Sequence, residues 1–285
     1  MTGGGKTIGV VTRGTTNTNR LRRVDRWIAA HPAFRRSSHP LVVDLGYGAS
    51  GVTVFELEHR LRRQQRHAHT SGHVRVLGLE IDPERVARAS AQLRRVREGE
   101  TPFSPDARVS FARGGFEVPA PNGERPTVIR AFNVLRQYDE SEVADAWQLL
   151  RSRLRPDGAI VEGTCDELGR VSSWVTLSPK GPVSFTISLR LRELEHPSVV
   201  AERLPKALIH RNVPGERVHQ FLTSLGDAWA YSVPLSPYGP VQRWIATVER
   251  MRDAGWLDGM PRAASGPARW RLGELTVPWS RVAPR

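Results

Sequence analysis

The sequence predicts an α/β protein, a sheet of parallel strands with helices on both faces. Three observations lead there. Short apolar runs alternate with longer stretches of helical period five times between residues 41 and 163, the pattern of strand–helix–strand crossovers. One run, Leu41-Val42-Val43, ends in a glycine-rich turn that opens a helix. Hydrophobic residues make up 39% and charged residues 25% of the 285, enough apolar mass for a large core without staples.

Residues 1–19 are rich in Gly, Thr and Asn and show no period. They read as a loop or arm with a short strand at Thr7–Thr12. Asn19 is placed to cap a helix over Arg20–Ala30, where Leu21, Val24, Trp27 and Ile28 recur at helical spacing. His39-Pro40 breaks the chain. After the first strand, a helix is expected over Val52–Gln65 and a second strand over Val74–Leu79. Asp82-Pro83-Glu84 opens a helix over Pro83–Arg97, because the acid caps and the proline suits the first turn. Strands follow at Val109–Ala112 and Thr127–Phe132, then a helix at Ser141–Arg153. The turn Arg155-Pro156-Asp157-Gly158 leads into a fifth strand, Ala159–Gly163.

The period then changes. Val171–Leu177 and Val183–Leu191 are β-rich and flank a hairpin-like connection, Ser178 to Pro182. Residues 197–256 read as two or three helices broken by prolines, and Arg269–Val277 as a last strand. These shifts divide the chain into a basic arm and helix (1–40), a core (41–194), a helical segment (195–262) and a C-terminal strand and tail (263–285).

Cys165 is the single cysteine, which excludes an intrachain disulfide and a four-cysteine zinc site. No apolar run approaches the roughly 20 residues of a membrane span. Met1–Val10 lacks the apolar stretch of a secretory signal, so a cytoplasmic protein without membrane contact is expected. His67, His69 and His73 lack an accompanying carboxylate or cysteine. They read as a polar loop, and no metal is expected.

Lys+Arg total 42 against 29 for Asp+Glu, a net charge of +13. Such an excess draws a protein toward polyanions. It is concentrated in residues 1–40, with further clusters at Arg60, Arg62, Arg63, Arg66 and at Arg94, Arg95, Arg97. These read either as a phosphate-binding surface, with nucleic acid as partner, or as solvated helix faces.

The informative segment is Val43-Asp44-Leu45-Gly46-Tyr47-Gly48-Ala49-Ser50-Gly51. Its glycines let the backbone approach a ligand, and the helix behind it offers unpaired N–H groups. Glu80 ends the next strand, so both acids would face the crevice at the carboxyl ends of adjacent strands. A carboxylate there can accept hydrogen bonds from ribose hydroxyls. A dinucleotide site would show the same glycines. Against a nicotinamide enzyme, Asp44 stands where it would repel a pyrophosphate, and Glu80 lies further along the chain than the usual ribose acid.

This segment resembles the first motif of the class I S-adenosylmethionine-dependent methyltransferases. Leu77-Gly78-Leu79-Glu80-Ile81-Asp82-Pro83-Glu84 resembles the second. Arg130-Ala131-Phe132-Asn133-Val134-Leu135 resembles the end of the fourth strand, and Leu154 to Glu162 the entry to the fifth. The resemblance covers about residues 40–165. It implies a Rossmann-like, doubly wound, mostly parallel seven-stranded sheet with helices on both faces and a helical C-terminal insertion, which would cap the acceptor. It also implies S-adenosylmethionine as cofactor. Gly46, Tyr47, Gly48 and Gly51 would hold its methionine part and Asp44 its amino group. Glu80 would bind the ribose and Ile81 the adenine. Asn133 and Val134 would line the site near the sulfonium.

The chain departs from the family where an acid after the third strand meets the adenine amino group. Phe116 stands there, with Glu117 next, so adenine contact is by stacking or shifted one residue. The fourth motif also lacks the Asn/Asp-Pro-Pro-Tyr/Phe of enzymes that methylate base amines. Cys165, in a Thr-Cys pair after the fifth strand, matches the nucleophile of RNA cytosine-5 methyltransferases, but their Pro-Cys pair is missing. A buried small apolar residue is the plainer role. Asn133 and Tyr138 are the candidate catalytic residues, with Asp139 read as a cap and His210 or His219 as a distant base. Arg13, Asn19 and Arg20, in a polar arm suited to anions, are candidates for substrate binding. Trp229, Tyr231, Tyr238 and Trp244 read as core or as a stacking surface.

The expected function is methyl transfer to RNA, another polyanion or a small molecule. The alternative is an inactive methyltransferase-like module that binds nucleic acid. Oligomeric state is not written in the sequence.

Overall fold

The computed structural model describes residues 7–67 and 73–285. In chain order it contains α1 (Arg22–Ala30), α2 (Pro32–Arg36), β1 (Leu41–Leu45), α3 (Val52–His67), β2 (Arg75–Glu80), α4 (Pro83–Arg97) and β3 (Val109–Arg113). Then come β4 (Val128–Phe132), α5 (Val143–Arg153), β5 (Ala159–Cys165), β6 (Val171–Ser178) and β7 (Gly181–Leu189). The chain ends with α6 (Lys206–Ile209), α7 (Arg217–Tyr231), α8 (Pro240–Asp253), the short α9 (Arg262–Ser265) and α10 (Pro267–Trp270), and β8 (Glu274–Pro278).

One eight-stranded sheet runs in the order β3-β2-β1-β4-β5-β6-β7-β8. The first five strands are parallel and reverse direction of growth between β1 and β4. That is the Rossmann-like order, with a crevice at the reversal. Alternate strand residues face opposite sides. Leu41, Val43, Leu45, Ile129 and Ile160 enter one core, shared with α5, α7 and α8. Val42, Val76, Val128 and Val161 enter the other, shared with α1, α3 and α4. The sheet is therefore doubly wound.

The expected seven strands are eight. No helix joins β5 to β6. β6 folds straight back, and β6, β7 and β8 are all antiparallel to their neighbours. The tight β6–β7 connection needs only a hairpin, whereas a parallel pair would need a crossover. Residues 7–12 form no strand. α2, absent from the sequence reading, starts where the His31 ring accepts the Ala33 N–H and Pro32 takes the first turn. Asn19 is not the cap of α1, which Leu21 precedes without a side-chain bond. The expected last strand is a helical turn followed by the shorter β8.

Candidate functional site

At the carboxyl ends of β1, β2 and β4 the structure has two compartments, an open cavity of about 740 Å³ and a narrow slot beside it. The turn after β1 separates them. Gly46 and Gly48 both have positive φ, +67° and +87°. A Cβ on Gly48 would stand 2.7 Å from Thr16 Oγ1, so only glycine allows the arm to pass.

Asp44, Gly46, Tyr47, Gly48 and Asn133 line the cavity, with Arg13 and Arg20 from the arm. The sequence reading missed the further lining by Arg136, Gln137 and Arg203. Gly46, Glu80, Ile81, Phe116, Val134 and Tyr138 line the slot. Three predicted residues, Gly51, Asn19 and Glu117, line neither, although Glu117 bonds the slot residue Gly115. Gly51 donates its N–H to Gln92 Oε1 at 2.9 Å, and its Cα packs on Phe111. Asn19 accepts from Arg60 and donates to Glu56.

Asp44 is not a free carboxylate. It lies opposite Arg130 in the β1–β4 register. Arg130 Nε reaches Asp44 Oδ1 at 2.9 Å and its Nη2 reaches Oδ2 at 2.5 Å. Thr53 adds a third bond to Asp44. Arg130 also bonds Asp25 of α1, which in turn takes Arg60 at 2.6 Å. Arg130 and Asp25 are fully buried. Burial alone would lower the basicity of Arg130, but Asp44 and Asp25 outweigh it and raise it. Removing the charges from water is costly, and only the complete cluster offsets it. Three of the acceptor positions of Asp44 are thus filled by Arg130 and Thr53, while the residue still lines the cavity. An arginine in the otherwise apolar run Val128–Phe132 was the sequence signal.

Glu80 is 1% exposed and ties the strands to the turn. Its oxygens accept from Gly48 N–H and Ile81 N–H, each at 2.9 Å, and Arg85 stands 3.6 Å away. Each oxygen retains a lone pair for a hydroxyl. Phe116 lines the slot, and Glu117 stands behind it, joined to the slot residues Gly115 and Ile8 by hydrogen bonds. Phe116 offers its ring and its backbone N–H, and Glu117 accepts from Gly115 N–H. Tyr47 is held by an edge contact with Phe111, 5.2 Å between centroids. Burial raises its phenol above the ordinary range.

Asn133 has φ +59°, a conformation asparagine tolerates better than most residues. Its amide is engaged at both ends by Cys165. Nδ2 donates to Sγ at 3.4 Å, and Oδ1 accepts the Cys165 N–H at 3.1 Å. Burial pushes the Cys165 thiol up, away from thiolate. Cys165 packs under the site as a small apolar residue. Tyr138 faces the slot, and burial raises its phenol as well. Asp139 and Glu142 form a reciprocal cap ahead of α5.

The remaining candidates lie elsewhere. His219 bonds Asn212, and neither it nor His210 lines the cavity. Trp229 and Trp244 are buried in the core, while Tyr231 and Tyr238 are exposed. The helical segment reaches the cavity only through Arg203. Of the histidine tract, 68–72 lie outside the described residues, and no metal-binding cluster occurs among the described ones.

The N-terminal arginines are mostly spent inside the molecule. Arg20 donates to the carbonyls of Thr15, Cys165 and Asp166. Arg22 reaches Asn19 and Leu168, and Arg26 pairs with Glu274. Arg23 is buried against Gly169, Ser188 and Leu272, and burial lowers it to about 10. These bonds staple α1 to the β5–β6 connection and the last strand.

No protein-family profile and no curated protein matches the chain. Among solved structures it is similar to magnesium protoporphyrin IX methyltransferase from Synechocystis PCC 6803, with 16% identity and a TM-score of 0.36. That match covers 51% of this chain and 57% of the other. It is also similar to the CcbJ methyltransferase of Streptomyces caelestis, with 14% identity, TM-score 0.34, and 60% and 65% of the two chains covered. A third is the O-methyltransferase NcsB1 of neocarzinostatin biosynthesis, with 16% identity, TM-score 0.35, and coverage of 51% and 37%. The chain thus spans less than two thirds of each of these proteins' length. The Rossmann-like assignment rests on the strand order itself.

Proposed function

We propose that the protein is an S-adenosylmethionine-dependent methyltransferase acting on a small anionic acceptor. One observation carries the reading. The fold brings Gly46, Glu80, Ile81 and Phe116, distant in sequence, around a slot that opens beside a cavity, with Gly48 bonded to Glu80 and Glu117 bonded to Gly115 at its edge. The slot offers what a nucleoside needs: a carboxylate for the ribose at Glu80, apolar walls at Ile81 and Phe116, and a donor beside an acceptor at Phe116 N–H and Glu117. These residues would hold the cofactor, which supplies an electrophilic methyl group when bound. Asn133 and Val134, locked at the end of β4, would fix the direction of approach. Alignment and exclusion of water then provide much of the rate effect.

The cavity supports the acceptor class. Arg136 donates to the Glu202 carbonyl at 2.8 Å, which sets it beside Arg203. The Arg203 guanidinium has no hydrogen-bond or carboxylate partner among the described residues, while its backbone carbonyl is pinned by Thr164 and Ser173. Burial and the neighbouring Arg203 charge lower the basicity of Arg136. Two neighbouring guanidiniums on one wall, the Arg136 charge offset in part by Glu202, suit a carboxylate or phosphate. Of the acids on the wall, Asp44 is paired with Arg130, and Glu167 is exposed to solvent without a salt bridge among the described residues. A small acceptor is favoured over RNA because the arginines of residues 20–26 are consumed internally.

Titration calorimetry tests this with S-adenosylmethionine and NADH. The first should bind and the second should not, and Glu80→Ala should abolish binding. Arg136→Gln with Arg203→Gln should leave cofactor binding intact while abolishing stabilisation by a millimolar carboxylate or phosphate at fixed ionic strength. NADH binding, or cofactor binding retained in Glu80→Ala, would overturn the assignment.

A further inference from the structure

The slot already contains part of the chain. Ile8 donates its N–H to Glu117 Oε2 at 2.8 Å and accepts the Phe116 N–H on its carbonyl at 2.9 Å. Val10 donates its N–H to the Tyr138 hydroxyl at 2.6 Å. Between them Gly9 lies against Ile81, Phe116 and Tyr138. A Cβ there would stand 2.8 Å from the Tyr138 hydroxyl and 2.9 Å from Ile81 Cδ1, and φ is +133°. About 10 Å³ of the slot is left, no more than a single water takes.

Two features of this contact are specific. First, the Ile8 peptide groups present one donor and one acceptor to the Glu117 carboxylate and the Phe116 N–H. The Watson–Crick edge of adenine presents the same pair, an amino donor beside a ring-nitrogen acceptor. Second, only backbone enters. Ile8, Val10 and Val11 are 45%, 51% and 47% exposed, so apolar burial contributes only in part to holding the segment. Three hydrogen bonds near solvent hold it, each of modest net worth.

The next residues are anchored differently. Thr12 is buried, and Arg85 donates to its carbonyl at 2.8 Å and to its hydroxyl at 3.3 Å. Gly14 accepts the Ala49 N–H, and Thr16 donates to the Tyr47 carbonyl at 2.9 Å. The arm therefore has a fixed part from Thr12 onward and a lightly held part at Ile8–Val11.

We infer that Ile8–Val10 is an intramolecular stand-in for adenine, which occupies the nucleoside slot until a nucleoside cofactor displaces it. This rests on the cofactor reading above. Thr12 serves as the fixed point about which the segment leaves. An arm seated nine-tenths of the time or more weakens apparent cofactor affinity tenfold or more, because affinity scales with the open fraction.

Two full-length variants unseat the arm without touching the slot walls. Gly9→Val places a side chain against Tyr138 and Ile81. Ile8→Pro removes the N–H given to Glu117. Both should bind S-adenosylmethionine about tenfold or more tightly than the wild type. Hydrogen exchange gives a second readout. Saturating S-adenosylmethionine should strip protection from the Ile8 and Val10 amides of the wild type while the Phe116 amide stays protected. Each variant should lose the residue 8–10 protection without any ligand. Equal or weaker affinity in both variants overturns the competition and leaves the cofactor reading standing, as does ligand-induced protection of Ile8 and Val10. No binding to any of the three proteins overturns the cofactor reading and the competition with it. Protection of residues 8–10 in the unliganded wild type then still reports whether the arm is seated.

Discussion

Glu162 sits in the middle of β5 with both carboxyl oxygens buried and without a hydrogen bond of normal geometry. Burial raises it from 4.5 to about 8, opposed only by the Trp147 indole. The folded state therefore keeps a proton that the unfolded chain releases near its ordinary value. Its contribution to stability is full below about pH 4.5 and is lost as pH rises to about 8. Chemical denaturation of Glu162→Gln should lack this part of the pH slope, so the variant gains on the wild type between those limits. A difference that is constant with pH would contradict the assignment. Arg130 is the opposite case, a buried charge fully partnered. Arg130→Met leaves Asp44 buried without a cation and Asp25 with Arg60 alone, and should cost about 3–5 kcal/mol. A loss under about 1 kcal/mol would show that water reaches the cluster.

The turn after β1 and the arm fit each other as backbone. Gly48→Ala forces a side chain into positive φ against Thr16, and should cost about 1–3 kcal/mol of stability. Unchanged stability would mean that the arm does not pass there. The elements differ in how much of them the sequence displayed. β1 to β5 were legible because each is a short apolar run closed by a turn or a cap, and α4 was legible to the residue from Asp82-Pro83. The hairpin of β6 and β7 was legible from the turn residues between them, but the eighth strand depends on pairing with β7 across 90 residues, as at Thr186 and Thr276. The glycine turn and Glu80 were legible as a motif. The partner of Asp44 was not, because it comes from the neighbouring strand β4, where only the pairing register sets it opposite. The seat of Ile8–Val10 was also hidden. It uses peptide groups, and these leave no trace in composition.

At the scale of the whole molecule, the net charge of +13 overstates the free positive surface. Arg130 lies in the core, Arg23 is buried against three acceptors, and Arg20, Arg22, Arg26 and Arg60 bind carbonyls or carboxylates. A single-stranded RNA 20-mer should therefore bind with a log–log salt slope no steeper than about −2, about three phosphate contacts. A slope of about −5 would restore the polyanion as acceptor. The central claim is that a nucleoside cofactor belongs in the slot now filled by the arm. Titration of Gly9→Val with S-adenosylmethionine tests it most directly, because the variant removes the competitor. One-to-one binding is expected, tighter than in the wild type and absent when Glu80→Ala is added. No heat of binding in a folded Gly9→Val protein would contradict it.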